Sequence, residues 1–107
     1  VGSGKIQYQG KWYEESLIIG IDKIIYPWKH PSVADLEVSD FESAFEGNTE
    51  VILLGTGKKQ VFPDAHLVTK ILKRGVGIEV MDSKSACRTF NLLVSEYRRP
   101  LAMLMLE

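Results

Sequence analysis

The chain has 107 residues, of which 45% are hydrophobic and 25% are charged, so it is long enough for one domain with one apolar core. Its 13 basic and 14 acidic side chains give a net charge of −1, whereas a nucleic-acid-binding module is typically clearly basic. The composition therefore indicates an ordinary globular domain and argues against binding to nucleic acid.

Metal, disulfide and membrane chemistry are also restricted by the sequence. Cys87 is the single cysteine, so an internal disulfide is excluded, and with two histidines it does not make a cysteine-type zinc site. We therefore predict no cofactor and no metal. No apolar run approaches the roughly 20 residues that span a bilayer, and no signal peptide is visible. We predict a cytoplasmic protein, with a trimmed targeting segment before Val1 left open.

Two strands are predicted near the start of the chain. Residues 5–9 alternate between polar and apolar side chains, and residues 12–21 end in an apolar run. Gly10 between them suits a turn, so the two stretches predict an antiparallel hairpin. Gly20 interrupts the second strand and indicates a bulge or a bend there.

The next segment predicts little regular structure before a short helix. Two prolines interrupt residues 22–38, which we expect to be mostly irregular. Ser39 and Glu42 have the spacing of a capping box, in which each side chain bonds to the other residue's backbone. The helix that they begin is expected to end at Gly47, which suits the left-handed position after a helix.

Residues 51 to 106 alternate between strand and helix patterns. The strands are predicted at 51–54, 77–81 and 101–106. The first and third are apolar on both sides, which is typical of central strands, and the second alternates as an edge strand does. With right-handed crossovers, the strand order reverses at 51–54 and one helix covers each face of the sheet. The predicted core is half of a doubly wound sheet, extended by the N-terminal strands.

Two helices are predicted between these strands. The first begins at Pro63, which suits the first helical position, and ends before Gly75. Asp82 or Ser83 caps the second helix. The apolar stripe of the first helix is Leu67, Val68, Ile71 and Leu72. The apolar stripe of the second has the spacing of one helical face over Ala86, Phe90, Leu93, Val94 and Tyr97.

Four motifs carry a family resemblance: Leu54-Gly-Thr-Gly57, Phe62-Pro63, Gly75-Val-Gly-Ile-Glu-Val-Met-Asp82 and Ala86-Cys-Arg-Thr-Phe-Asn91. Together they resemble the Mth-type domain family, small single-domain proteins of undefined activity that include mitochondrial complex I assembly factor three and the adipogenesis-associated Mth-domain protein. The resemblance implies one Mth-like domain over residues 1–107, with a three-layer α/β fold and a mixed central sheet. It implies contacts with protein partners and no established reaction.

The carboxyl ends of strands 51–54 and 77–81 define a candidate binding rim. In open α/β sheets, ligands bind beyond these ends, where the strand order reverses. We assign seven residues to this rim: Gly55, Thr56, Gly57, Asp82, Cys87, Arg88 and Asn91. Thr56 and nearby N–H groups suit a small anion, and the alternative is a tight turn in which glycine supplies backbone freedom. Asp82 is either the helix N-cap or a general base.

Cys87 and Asn91 lie on one flank of the second predicted helix, beside its apolar face. A thiol close to a helix N-terminus and to Arg88 is a candidate reactive group if its pKa is lowered. The alternative that we favour is a small thiol that packs in the core.

Arg88 is expected to be half-buried, with its stem on the core and its head paired to Asp82 or Glu79. Glu79 is expected to be an exposed charge on an edge strand or one half of an ion pair. Three N-terminal aromatic residues form either part of the core or an exposed patch for a partner: Trp12, Tyr26 and Trp28.

No catalytic motif of high specificity is present, so we expect a domain that acts by binding. The hypothesis is an accessory or assembly factor for a protein complex, with the rim as its working surface. The alternative is an enzyme or a small-anion-binding protein that uses the Gly55–Gly57 turn, Asp82 and Arg88.

Overall fold

A five-stranded mixed sheet lies at the centre of the structure, a computed structural model that describes residues 4–106. The strands are β1 (Ile6–Tyr8), β2 (Lys11–Tyr13), β3 (Leu17–Ile19), β4 (Ile24–Ile25), β5 (Val51–Gly55), β6 (Gly77–Met81) and β7 (Pro100–Leu104). The α-helices are α1 (Glu42–Phe45), α2 (Ala65–Lys73) and α3 (Ser83–Ser95). The order in the main sheet is β4-β3-β7-β5-β6, and β1 and β2 form a separate antiparallel hairpin.

The central position of β5 and β7 follows from their composition. Every residue of both strands is buried, as expected for strands covered on two faces. β5 runs parallel to both β6 and β7, while β3 pairs antiparallel with β7 and with β4. The predicted reversal at β5 and the edge position of β6 are confirmed, as is the mixed α/β fold.

Two apolar clusters fill the space above and below the sheet. Leu67 and Ile71 of α2 pack with Ile52 on one face, while Ala86 and Phe90 of α3 pack against the other. Alternate side chains of β5 point to opposite faces, so one buried strand serves both clusters. The β1–β2 hairpin covers the α3 side. The prediction that the two long helices lie on opposite faces is confirmed.

The predicted second strand over residues 12–21 is wrong, because the chain contains two strands there. Ser16 lies between β2 and β3, and its carbonyl accepts a 2.7 Å hydrogen bond from the Trp28 N–H. This contact directs β3 into the main sheet and leaves only β2 in the hairpin. Of the two alternatives at Gly20, the bulge is wrong and the bend is confirmed: Gly20 follows β3 where the chain turns towards β4, and its N–H donates to the Lys23 carbonyl at 2.8 Å.

The predicted helix starts are displaced in two places. The capping box expected at Ser39 is wrong, because the Asp40 carboxylate accepts instead from the Glu37 N–H at 2.8 Å and a short 3-10 turn precedes α1. Pro63 does not begin α2 either. Asp64 is the N-cap, and its carboxylate accepts from the His66 N–H at 2.8 Å. The predicted stops are confirmed, since Gly47 and Gly75 both have positive φ.

The last residue of each predicted apolar stripe, Tyr97 for α3 and Leu72 for α2, is exposed and does not pack on the core. α3 ends at Ser95, and Tyr97 has φ of 61° and is 96% exposed. The Arg98 N–H donates to the Leu93 carbonyl at 2.9 Å, which closes the helix and turns the chain towards β7. Leu72 of α2 is also exposed.

The N-terminal aromatic residues divide between the two interpretations. Trp28 is buried in the core, whereas Trp12 and Tyr26 are exposed. Residues 22–38 are mostly irregular, as predicted, apart from the two-residue β4 and a short 3-10 turn. None of the helices in the described part of the chain is long and apolar enough to cross a membrane.

Candidate functional site

The parallel strands β5 and β6 end side by side and bring the first rim residues together. Gly55 pairs with Met81, and the next residue, Thr56, donates its N–H to the Met81 carbonyl at 2.9 Å. The Ser83 N–H donates to the Gly57 carbonyl at 2.8 Å. The predicted neighbours at the carboxyl ends therefore lie in one hydrogen-bonded layer at the start of α3.

Ser83 connects three segments of this layer, a role that its position at the start of a predicted helix does not indicate. Its buried hydroxyl accepts from the Gly57 N–H at 2.9 Å and donates to the Met105 carbonyl at 2.6 Å. The N–H groups of Thr56 and Gly57 both donate within the protein, so they are not available to an anion. Gly57 has φ of 93°, which supports the tight-turn interpretation.

The loop from Thr56 to Pro63 is held in place by its own hydrogen bonds. The Thr56 hydroxyl donates to the Lys59 carbonyl at 2.5 Å and accepts from the Val61 N–H at 3.0 Å. The Gln60 amide donates to the Val80 carbonyl at 2.9 Å. This ordered loop presents Phe62, which is 69% exposed.

Asp82 is the N-cap of α3, as predicted. One oxygen of its carboxylate accepts from the Ser85 N–H at 2.8 Å, and the other accepts from the Ser85 hydroxyl at 2.9 Å. These hydrogen bonds hold the pKa of the Asp82 carboxyl below its usual value. A lowered pKa and two occupied oxygens weaken the general-base alternative.

The Asp82→Asn variant tests the charge separately from the cap, since asparagine also caps helices well. The folded pKa of Asp82 is lowered, so the charge stabilises the protein above the unfolded pKa, and this contribution is lost as the pH falls through the folded pKa. We expect the variant to be less stable at neutral pH, with the gap closing below about pH 4. Urea denaturation over a pH series measures this, and a gap that stays constant in acid would contradict it.

A cavity of about 430 Å³ opens beside Asp82, and we call it the rim pocket. Three cationic side chains surround it: Lys58, Lys84 and Arg88. Its other lining residues are Gly4, Gly57, Asp82, Ser83, Ser85, Met105 and Leu106. Met105 and Leu106 directly follow β7, and only the strand order places them there, so sequence reasoning missed them.

Arg88 lies at the rim pocket but is exposed, so its predicted half-buried position is wrong. Ala86 and Phe90 face the core, and a residue midway between them on a helix points outwards. Its guanidinium donates to the Ser85 hydroxyl at 3.4 Å, and no ion pair joins it to a carboxylate of residues 4–106. Glu79 is an exposed charge on the edge strand, one of the two predicted alternatives.

Cys87 and Asn91 lie apart from the rim pocket. They line a small cavity of about 30 Å³ under the β1–β2 hairpin, together with Ile6 and Phe90. Burial raises the pKa of the Cys87 thiol, which opposes the formation of a thiolate. The structure therefore supports the packing interpretation of Cys87 and separates it from the other rim residues.

The Cys87→Ala variant is expected to lose about 1 kcal/mol of stability, since it removes a small, partly buried apolar atom group. Because the thiol pKa is raised, a thiol-reactive reagent should label the native protein much more slowly than the urea-unfolded chain. Mass spectrometry of a labelling time course measures both rates. Equal rates for native and unfolded protein would contradict the packing interpretation.

One serine–histidine pair appears that sequence reasoning missed. The Ser16 hydroxyl lies 2.8 Å from His30 Nε2, and His30 Nδ1 lies 2.7 Å from the Pro31 carbonyl. A carbonyl only accepts, so Nδ1 carries the proton. The Ser16 oxygen also accepts from the Leu106 N–H at 2.9 Å. Neither Ser16 nor His30 lines the rim pocket, and the pair joins β3 to the end of β7.

Metal ligation has no obvious site in the described part of the chain. Among residues 4–106, no group of three or more His, Cys, Asp or Glu side chains is arranged to hold a metal ion.

The fold and the site together define a class: a three-layer α/β domain with a mixed sheet and a basic pocket at the carboxyl ends of its parallel strands. The chain belongs to the family described as "Protein of unknown function (DUF498/DUF598)", whose model matches residues 1–105.

Two relatives and one solved structure show the range of the family. The chain is 34% identical over 87 residues to the "13 kDa major membrane protein" of Francisella tularensis, covering 80% of this chain and 71% of that protein. It is 37% identical over 82 residues to NADH dehydrogenase (ubiquinone) 1 alpha subcomplex assembly factor 3 of Danio rerio, covering 75% and 47%. A Bordetella parapertussis crystal structure matches with TM-score 0.88 at 30% identity, covering 99% and 91%.

The resemblance inferred from the sequence motifs is confirmed by the similarity to assembly factor 3. The present chain spans about half the length of that relative.

Proposed function

We propose that the domain is a protein-binding accessory factor that helps to assemble a larger protein complex, and that it binds through the rim. An assembly factor is among its relatives at 37% identity, which supports this class of function. The rim is the end of an open α/β sheet at which ligands and partners are generally bound.

The observation that carries the proposal is the exposed aromatic ring of Phe62 next to the rim. Phe62 is 69% exposed on a loop that hydrogen bonds hold in place. Aromatic and arginine side chains dominate the binding energy of protein interfaces, and Arg88 is exposed at the same end of the sheet. An ordered loop also loses little conformational entropy when a partner binds.

The three cations around the rim pocket favour a second candidate, the binding of a small anion. Lys58, Lys84 and Arg88 would attract a carboxylate or a phosphate. The enzyme alternative has less support, because the Cys87 thiol pKa is raised and Asp82 is occupied as a helix cap.

A comparison of three surface variants tests the protein-binding proposal. Phe62→Ala and Arg88→Ala change the rim, while Leu92→Ala removes a similarly exposed apolar side chain from the outer part of α3. All three positions are exposed, so we expect each variant to stay within about 0.5 kcal/mol of wild-type stability. Affinity capture from the native cell with quantitative mass spectrometry then measures the bound partners.

We expect the main partner to be lost from Phe62→Ala, reduced for Arg88→Ala and retained by Leu92→Ala. Retention of the same partners by all variants would contradict the proposal. If calorimetry with inorganic phosphate instead showed binding that Arg88→Ala abolishes, with no partner captured, the small-anion candidate would replace it. The cytoplasmic location stays a prediction, because one relative is named a membrane protein.

A further inference from the structure

Arg99 has a buried donor without a partner at the end of the sheet opposite the rim. Its Nε is buried and makes no hydrogen bond, and no ion pair joins its guanidinium to a carboxylate of residues 4–106. Buried charge-bearing donors are normally paired, because leaving one without an acceptor is unfavourable. The described part of the chain therefore leaves the Arg99 Nε without an acceptor.

The backbone of Arg99 is held by two hydrogen bonds, which fix the point from which its side chain extends. Its N–H donates to the Glu50 carboxylate at 2.8 Å, and its carbonyl accepts from the Glu50 N–H at 2.9 Å. Arg99 immediately precedes β7, and Glu50 immediately precedes β5. The position is thus at the amino ends of the two central strands, roughly 16 Å from the rim across five residues of strand.

A cleft of about 210 Å³ lies against Arg99. It is formed by the turn from Gly20 to Lys23, the loop from Glu46 to Thr49, and the start of β7. Lys23 is already engaged, because its ammonium donates to the Ser43 carbonyl at 2.8 Å and lies 3.7 Å from the Glu46 carboxylate. Arg99 is therefore the cation that the cleft offers to a ligand.

Two further polar side chains border the cleft. Within residues 4–106, the amide of Asn48 and the hydroxyl of Thr49 make no hydrogen bond, and both residues line the cleft. Together with Arg99 they give three side chains that can donate to an oxygen ligand.

We propose that this cleft is a binding site for a small monocarboxylate. A planar guanidinium matches the two oxygens of a carboxylate better than any other donor does. The two carboxylates of Asp22 and Glu46 equal the two positive charges of Lys23 and Arg99 in the lining, and this balance disfavours a dianion such as phosphate more than a monoanion. The volume equals that of about seven water molecules, so the ligand has few carbon atoms.

The acceptor inside the chain that competes with this ligand is Asp22. Its carboxylate lies in the cleft lining without an ion pair to Arg99, and it is exposed. If Asp22 only repels the ligand, Asp22→Asn should tighten carboxylate binding. If it were the partner of Arg99 in solution, the wild type would not bind the carboxylate, and binding would appear only in Asp22→Asn, with a loss of stability.

The experiment is an NMR titration of the isotope-labelled protein with sodium acetate, with sodium phosphate and sodium chloride as parallel titrations at matched ionic strength. We expect acetate to give saturable shifts of the backbone amides at Gly20, Lys23 and Thr49, without shifts at the rim amide of Ser85. Arg99→Lys keeps the charge but loses the planar donor pair, so we expect it to weaken binding by about tenfold or more.

Arg98→Lys is the matched control, because Arg98 is adjacent and its guanidinium reaches only the surface carboxylate of Glu50 at 3.8 Å. We expect this control to bind acetate within about twofold of the wild type. Equal affinity for Arg99→Lys and wild type, equal binding of phosphate, shifts confined to the rim, or no saturation at all would each overturn the proposal. Dispersed spectra of each variant show that it is folded.

Discussion

The Gly55→Ala variant is expected to lose about 3 kcal/mol of stability, which would leave a small domain close to unfolding. An added Cβ at Gly55 would lie 2.8 Å from Ser83 Cα, 2.9 Å from Ser83 Oγ and 3.2 Å from Ala86 Cβ. The two distances to Ser83 are shorter than real Cβ contacts, the distance to Ala86 is tighter than most of them, and the closest one is to backbone. The helix would have to move away from the sheet to accept the methyl group.

The start of α3 resists such a movement because it is tied to the rim. The Ser83 N–H and hydroxyl both bond to Gly57, and the hydroxyl also holds the Met105 carbonyl. Shifting the helix would stretch these bonds while Ala86 is pressed against β5. We therefore expect the strain to appear as lost stability and not as a local adjustment.

Gly77→Ala is the matched control, since Gly77 is also a glycine of a parallel strand. Its added Cβ would have no atom closer than 3.6 Å, which is an ordinary contact. We expect this variant to lie within about 1 kcal/mol of the wild type, with a gain in stability allowed because alanine restricts the unfolded chain. Urea denaturation of both variants measures the difference, and similar losses for the two would contradict the close-packing explanation.

The short distances from an added Cβ at Gly55 explain why the Gly55–Gly57 turn begins with a glycine. Gly57 has a positive φ and needs glycine for its backbone, whereas Gly55 needs it because helix α3 approaches the strand closely. The motif that suggested an anion site is therefore explained at both positions by the protein's own packing. This leaves the side chains around the rim pocket as the groups that face a ligand.

The parts of the fold that sequence patterns predicted are those with a strong local cause. β5 and β7 are apolar at every position, and such strands are stable only in the middle of a covered sheet. Asp82 is followed by an amphipathic helix, and its carboxylate accepts from the Ser85 N–H in the first turn, where the helix has no acceptor of its own. Strand order, helix faces and this cap were predictable for that reason.

The parts that were missed depend on contacts between distant residues. Ser16 separates β2 from β3 through its bond to Trp28 and its contact with Leu106, which is 90 positions away. The apolar spacing of α3 continues to Tyr97, but a tertiary turn ends the helix before it. At the candidate site, Met105 reaches the rim pocket only because β7 lies beside β5.

The cleft at Arg99 could not be predicted from the sequence for a related reason. Nothing in the local sequence distinguishes Arg98 from Arg99, which are adjacent and equally charged. Only the pairing of Glu50 with this segment places one side chain on the surface and the other against the cleft. Buried donors without acceptors are visible only after the chain is folded.

The Ser83→Ala variant is expected to lose about 2–3 kcal/mol of stability. Ser83 is 2% exposed, and removal of its hydroxyl leaves the Gly57 N–H and the Met105 carbonyl without the partner that they share. Each buried polar group left without a hydrogen bond costs about 1–3 kcal/mol.

Ser95→Ala is the control within the same helix, because the Ser95 hydroxyl donates to the Leu92 carbonyl at 2.6 Å in an exposed position where water can replace it. We expect it to change stability by less than about 0.5 kcal/mol.

Urea denaturation measures both losses, and hydrogen exchange adds a local test. The Gly57 amide donates to Ser83 in the wild type, so its exchange should accelerate in Ser83→Ala by more than global destabilisation explains. An unchanged Gly57 amide, or equal losses for the two serines, would mean that Ser83 does not hold the rim together. The Met105 and Leu106 side of the pocket would then be held by the hydrogen bonds of their own N–H groups to the Gly55 carbonyl and the Ser16 hydroxyl.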